Sequence, residues 1–212
     1  MRAGWLLLAL LGTVACQQQV PGERQTATAP VPACAYDAGA MLALDVETFD
    51  STPETGWRVV GNVPGCEAAG ADLLALYRAQ KTGLSADDEA GLLHHEFQLR
   101  AASGQTDAAI GIARRLIDIR ADDAVMRAYH EAELAFLSGD LEALTAARTR
   151  LAAVPKPEGF EKGVEAFKAK YPDYPPPVWP INLDVVDGFI NCFGKPYAEA
   201  YKFSCRPARD EA

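Results

Sequence analysis

The sequence lacks most of the short motifs that carry enzyme chemistry. It contains no P-loop, no GxGxxG, no HExxH, no CxxC and no GxSxG. Histidine is scarce, with three residues in the chain, and no serine stands beside a base in a pattern that would activate it. From these absences we expect a protein that is not an enzyme, with no catalytic residues, no cofactor and no bound metal.

Positive charge is also in short supply. Lys and Arg total 20 against 29 Asp and Glu, which gives a net charge of -9 over 212 residues. This balance argues against a nucleic-acid partner, whose phosphates need neutralising by Lys and Arg, and it removes electrostatic attraction to anionic lipid. An acidic inhibitor of a basic envelope enzyme is one function that this charge would suit. The composition, 49% hydrophobic and 23% charged, is that of a folded protein, and the length predicts one domain with appendages.

No apolar run is long enough to cross a bilayer, which takes about 20 residues. The longest candidate covers residues 5–11, after the positive charge of Arg2 and before a stretch of small residues. A charged start, a short apolar run and a small-residue exit are typical of a secretory signal. We therefore assign residues 1–15 to a signal peptide.

Thr13-Val14-Ala15-Cys16 resembles the lipobox of bacterial lipoproteins. The resemblance implies that Cys16 becomes the acylated N-terminus of the mature chain, and Gln17 after it implies sorting to the periplasmic face of the outer membrane. Several acyl chains would anchor the protein stably. Ordinary cleavage after Ala15 stays open, because Thr and Ala also suit the general signal peptidase. The protein would then be soluble in the periplasm or secreted.

Four further cysteines, Cys34, Cys66, Cys192 and Cys205, are widely spaced along the chain. An even number in an exported protein predicts two disulfides. Three pairings are possible, of which the most local joins Cys34 to Cys66 and Cys192 to Cys205. A zinc site built from cysteines would need closely spaced pairs, which this sequence does not have.

The polar residues 16–33 predict a lipid-anchored flexible linker, and residues 34–206 a single α-helical domain. Helix signals are clearest in the middle of the chain. Ser85 begins a capping box with Asp88, and Thr106 or Asp107 is expected to cap the next helix.

The middle helices form two copies of one unit, over about residues 85–120 and 121–155. An offset of 35 residues aligns Ser103-Gly104 with Ser138-Gly139, which end the first helix of each copy. Residues 104–110 resemble the inter-helix turn of tetratricopeptide repeats, in Gly104, Ala109 and Ile110. The resemblance implies an all-α fold, a short tetratricopeptide-like stack of helical hairpins. It also implies a groove that binds a protein or another partner in the cell envelope.

The same offset places His95-Glu96 on His130-Glu131. Equivalent positions on neighbouring helices would lie about 8–10 Å apart, close enough for the two histidines to share a metal. The alternative hypothesis is therefore a metal-binding or hydrolytic protein using these four residues. A semi-buried histidine bonded to a neighbouring carbonyl or carboxylate explains each position without a ligand.

Aromatic residues interrupt a proline-rich stretch near the C-terminus. Tyr174 and Trp179 lie in this stretch, which predicts a stiff, extended segment. Such a segment either presents an edge to a partner or packs over the helical core. The possible binding surface thus comprises the two His-Glu pairs and these two aromatic residues.

Overall fold

The computed structural model describes residues 34–208. The signal peptide (residues 1–15), the lipobox-like Thr13-Val14-Ala15-Cys16 and the linker up to residue 33 lie outside the described residues. Every regular element of residues 34–208 is helical, which confirms the all-α class. The elements are α1 (Ala38–Ala43), a π-helical turn (Glu47–Ser51), α2 (Arg58–Gly61), α3 (Glu67–Gln80), α4 (Ala86–Ala102), α5 (Thr106–Ile119), α6 (Ala124–Leu137), α7 (Leu141–Ala152), α8 (Phe160–Lys170), α9 (Leu183–Asn191), α10 (Tyr197–Ala200) and a 3-10 turn (Phe203–Cys205).

Local sequence sets most ends of the middle helices. The capping box at α4 is confirmed, because the Ser85 hydroxyl accepts from the Asp88 N–H at 3.1 Å and the Asp88 carboxylate accepts from the Ser85 N–H at 3.0 Å. Gly104 and Gly139 adopt φ of 79° and 70°, the left-handed conformation that ends α4 and α6. These ends agree with the predicted helix boundaries.

The start of α5 differs from the prediction. Gln105, rather than Thr106 or Asp107, precedes the helix, and its side chain makes no capping hydrogen bond. The helical hydrogen bonds already begin at the Gln105 carbonyl, which accepts from the Ala109 N–H at 3.0 Å, so Thr106 lies inside the helix. The Gln105 amide oxygen instead accepts from Arg100 Nη1 of the preceding helix at 2.6 Å.

The helices from α3 to α7 each pack against the next one in the chain, and α9 packs against α6 and α7. Two hydrophobic clusters result, one around the N-terminal turns and α3, the other around α5, α6, α7 and α9. The α4 helix contributes to both, with Leu92 and Leu99 in the first cluster and Leu93 and Phe97 in the second. Within residues 34–208, no helix combines the length and the apolar character that a bilayer span requires.

Two disulfides join the predicted cysteines. Cys34 pairs with Cys66 at the start of α3, and Cys192 after α9 pairs with Cys205 in the 3-10 turn. The two disulfides are thus confirmed, with the most local of the three possible pairings. Each bridge fastens one end of the described chain to a helix of the core.

Candidate functional site

The two adjacent histidines of α4 point to different surroundings. His94 contacts His130 of α6, with ring centroids 4.9 Å apart. His95 instead packs on Trp57 at 5.1 Å, and its Nδ1 lies 2.7 Å from an oxygen of Asp50. Successive residues of an α-helix are about 100° apart around its axis, so one histidine faces α6 and the other faces the N-terminal turns.

The structure therefore brings His94, and not the predicted His95, next to His130. His95 does not face His130, because its ring is turned towards Asp50 and Trp57 of the N-terminal turns. Tyr129 also packs against the His94 ring, in an edge contact at 5.8 Å.

Glu133 lies at the centre of this cluster and is fully buried. Its Oε1 accepts a hydrogen bond of 3.0 Å from the Tyr197 hydroxyl, and its Oε2 lies 3.0 Å from His130 Nδ1. The same Oε2 is 3.9 Å from His94 Nδ1, beyond hydrogen-bond distance. His94 Nδ1 is itself buried and has no hydrogen-bond partner. The Glu133 carboxylate thus contacts both Tyr197 and His130, whereas the Nδ1 of His94 makes no hydrogen bond.

Burial controls the protonation of the cluster. Burial, followed by the electrostatic effect of the neighbouring His130, His95 and Arg120, lowers the pKa of His94 well below its usual value, so this imidazole is neutral at pH 7. Burial and then the nearby Glu133 carboxylate raise the pKa of Tyr197 well above 10. The Tyr197 phenol therefore keeps its proton and remains a hydrogen-bond donor to Glu133.

His94, His130 and Glu133 are also the group in residues 34–208 that could hold a metal ion. One ligand atom from each lies within 4.8 Å of the others. Two imidazoles and a carboxylate form a donor set that zinc accepts in proteins. The four core cysteines do not contribute ligands, because they are joined in disulfides.

Asp50 forms the second buried polar centre, in the π-helical turn. Its Oδ1 accepts from Trp57 Nε1 at 2.8 Å and from His95 Nδ1 at 2.7 Å, and Arg58 donates to its backbone carbonyl. Burial acts to raise the pKa of Asp50, but the hydrogen bond and charge of His95, helped by Trp57 and Arg58, lower it below 3.8. Asp50 is therefore an ionised carboxylate that positions His95 away from the α6 side.

The two glutamates of the predicted site, Glu96 and Glu131, form ion pairs with arginines. Glu96 is 4% exposed and binds Arg78 at 2.6 Å and Arg100 at 2.7 Å. Glu131 is nearer the surface and binds Arg127 at 3.1 Å and Arg150 at 2.6 Å. Neither glutamate joins the histidine cluster through these contacts. Both link helices by ion pairs.

The two aromatic residues of the proline-rich segment have different environments. Trp179 packs edge-on against Phe160 at 5.2 Å, and its Nε1 donates to the Val154 carbonyl at 3.0 Å. Tyr174 is 44% exposed. Trp179 also lines an open pocket of about 300 Å³, which is surrounded by residues 177–184 with Asp187 and Arg206. The tryptophan thus anchors the segment, and the tyrosine is accessible to a partner.

Sequence reasoning missed His94, Glu133 and Tyr197 as members of one site. The spacing of His130 and Glu133, three residues apart on a helix, is a signal that places both on one face. Nothing local points to Tyr197, which follows Glu133 by 64 residues and reaches it only in the folded chain.

Comparisons with known proteins leave the site to be interpreted from its own chemistry. No family model, no curated protein and no solved structure matches this chain.

Proposed function

We propose that the protein is an exported lipoprotein of the cell envelope that acts as a non-enzymatic interaction module. Cys16 carries the lipid, and the helical domain binds a protein partner near the membrane. The signal-like start of the chain and the lipobox-like Thr13-Val14-Ala15-Cys16 support the anchor. Two disulfides support an oxidising compartment, since such bonds persist outside the cytosol.

One observation favours a particular face for the partner. The two most exposed large apolar side chains of residues 34–208 are Phe203 at 67% and Val178 at 63%. Arg206 connects them, because its guanidinium lies 4.5 Å from the centre of the Phe203 ring and also borders the pocket that Val178 lines. Exposed apolar side chains that gather at one place are typical of interaction sites. Ile181 lines the same pocket, and we name Val178, Ile181 and Phe203 the apolar edge.

The apolar edge is also preorganised for binding. Pro175, Pro176, Pro177 and Pro180 fix the backbone dihedrals of the segment, and Trp179 anchors it to the end of α7. A segment that is already ordered loses little conformational entropy on association. Charged groups at the pocket, among them Asp184 and Arg206 at 3.3 Å from each other, supply a polar rim. The groove that the repeat resemblance implies stays a prediction beside this edge.

Site-specific crosslinking tests the docking face. A photoreactive residue at Val178 in the lipidated protein should give one discrete adduct in intact cells. The matched control places it at Leu141, which is 45% exposed at the start of α7. In a second experiment the photoreactive residue is placed at position 203. There, Val178→Asp should reduce recovery of the adduct with the same partner by roughly 10-fold, which corresponds to about 1.4 kcal/mol of binding free energy. The substitution should not change the melting temperature. Equal adducts from both positions would contradict the proposed edge.

The anchor is tested separately by the intact mass of the membrane-extracted protein beside a Cys16→Ala variant. A mass that fits cleavage before Cys16 plus acyl chains, absent from the variant, supports the lipoprotein. A cleaved, unacylated mass in the soluble fraction would contradict the anchor and favour a periplasmic or secreted protein.

A further inference from the structure

The histidine cluster, formed by His94, His130 and Glu133, contains one nitrogen atom that has no hydrogen-bond partner. His94 Nδ1 is buried without a partner, although it lies 3.9 Å from Glu133 Oε2 and its ring is 4.9 Å from that of His130. Leaving a buried polar atom unpaired costs about 1–3 kcal/mol, so such atoms in folded proteins call for an explanation. A direct hydrogen bond to Glu133 is too long, but an ion between the two atoms would bond to both.

The donor groups of the cluster also suit a cation. Glu133 is fully buried and offers carboxylate oxygens, and His94 and His130 each offer an imidazole nitrogen. Imidazole and carboxylate are groups that bind zinc in proteins. His130 Nδ1 lies 3.0 Å from the carboxylate and completes a set of two nitrogens and one oxygen.

The distances are close to those of a zinc site. Zinc binds nitrogen and oxygen at roughly 2.0–2.1 Å, so two ligands of a tetrahedral ion are about 3.4 Å apart. The three ligand atoms here lie within 4.8 Å of one another, and the two that involve Glu133 Oε2 are at 3.0 and 3.9 Å. Small rotations of these side chains would bring their ligand atoms to the separations of a zinc site.

Neighbouring groups orient the carboxylate through hydrogen bonds, as they do for the ligands of many metal sites. Tyr197 donates to Glu133 Oε1, which orients the carboxylate and leaves Oε2 towards the histidines. Outer hydrogen bonds of this kind fix the direction of metal ligands. Tyr129 and Tyr197 are fully or nearly fully buried, so water has limited access from their side. His94 is the most accessible ligand, with 14% of its side chain exposed.

We propose that His94, His130 and Glu133 bind one divalent transition-metal ion, with zinc as the preferred ion, between α4 and α6. The ion joins the two helices that begin the two repeat-like units, and a water molecule completes its coordination. The site is independent of the apolar edge, so the failure of either proposal leaves the other standing.

Cobalt, a spectroscopic substitute for zinc, tests the proposal directly. The full chain is purified without a polyhistidine tag and with Cys16→Ala, which removes the fifth cysteine as a competing ligand. It is stripped with chelator and titrated with Co²⁺ alone, then with Zn²⁺. We expect visible absorption typical of four-coordinate cobalt, saturating at one ion per chain and displaced by zinc.

The chain offers a matched control in its adjacent histidines. His94→Ala should weaken cobalt binding by at least about 100-fold, since changes outside the ligand shell alone cost 10–100-fold. His95→Ala, which removes the partner of Asp50, should bind cobalt as the parent does. Far-UV circular dichroism of both variants checks the fold. Equal cobalt binding by the two variants, or no saturable binding by the parent, would overturn the proposal.

X-ray absorption of the zinc-loaded parent gives a second answer that needs no variant. The proposal requires two imidazoles and oxygen at roughly 2.0–2.1 Å, and no sulfur at about 2.3 Å. A shell with fewer than two imidazoles, or one with sulfur, would contradict it.

Discussion

Glu96 and Glu131 hold corresponding positions in the two repeat-like units, yet their surroundings differ. The Glu96 side chain is 6% exposed, and its partners Arg78 and Arg100 are 13% and 15% exposed. The partners of Glu131 are both more than half exposed. An ion pair at the surface contributes little, whereas removing one partner of a buried pair leaves an uncompensated charge in the interior.

Alanine at each position measures this difference. Glu96→Ala should lower the free energy of unfolding by about 1.5–3 kcal/mol, the value of hydrogen bonds to a charged group, because Arg78 and Arg100 keep only the more exposed Glu89 and Asp72 as partners. Glu131→Ala should cost at most about 1 kcal/mol. Urea unfolding of both variants beside the parent gives the two values. Similar losses would show that the burial of Glu96 does not determine its contribution.

Asp50 predicts a dependence of stability on pH. Its pKa is lower in the folded protein than its usual 3.8, so the unfolded chain takes up the proton first as the pH falls. The stabilisation from this group is present above about pH 4 and is lost as the pH decreases through the lowered pKa. Asp50→Asn should therefore be less stable than the parent by about 1.5–3 kcal/mol near neutral pH, the value of hydrogen bonds to a charged group.

Thermal unfolding of the parent and of Asp50→Asn at a series of pH values tests this. The difference between the two should become smaller below about pH 4. A difference that stays constant down to the acid end would show that the ionised carboxylate is not what stabilises the parent.

At the scale of whole elements, a pair of glycines allows α2 and α3 to approach closely. A Cβ added to Gly70 would lie 2.5 Å from Gly61 Cα, a contact with backbone that no side-chain rotation relieves. A Cβ added to Gly61 would meet Leu99 of α4 at 2.8 Å. The crossing of these helices therefore depends on the absence of two side chains. The sequence shows both glycines but not that they meet.

Gly70→Ala should destabilise the protein by about 1–3 kcal/mol, the usual cost of overpacking a core. Gly111 provides the control, because it lies inside α5 and an added Cβ has no neighbour within 4 Å. Gly111→Ala should stabilise by roughly 0.5–1 kcal/mol through helix propensity alone. The midpoints of urea unfolding should thus move in opposite directions. A shift of both midpoints the same way would contradict the close approach of α2 and α3.

At the scale of the molecule, the two disulfides close loops of different length. Cys34 and Cys66 are 32 residues apart in sequence, and Cys192 and Cys205 are 13 apart. From the loop-closure entropy, we expect the disulfide of the longer loop to stabilise the fold by about 4 kcal/mol and that of the shorter loop by about 3 kcal/mol. Each bridge thus contributes a large part of the 5–15 kcal/mol that is usual for a folded domain.

Replacing each pair of cysteines by alanine should lower the free energy of unfolding by these amounts, slightly more for Cys34–Cys66. Guanidinium unfolding of the two double variants provides the comparison, with the parent in reductant as a further reference. An unchanged stability after loss of either bridge would mean that the core alone fixes that end of the chain.

Local patterns in the sequence predict the helical class, the capping box at Ser85 and the helix ends at Gly104 and Gly139. The cap and the two helix ends depend on residues within one turn of each other, so a short stretch of sequence is sufficient to predict them. The number of cysteines predicts two disulfides. It does not predict which cysteines pair, because their spacing is compatible with three pairings.

Which polar residues meet depends on how the helices pack. His94 faces His130 because of the rotation of α4 about its axis, where a change of one residue is a turn of about 100°. The Tyr197 hydroxyl reaches Glu133 across 64 residues of chain. Such contacts depend on how helices pack, and packing is set by the shape of the whole core, which no short stretch of sequence contains.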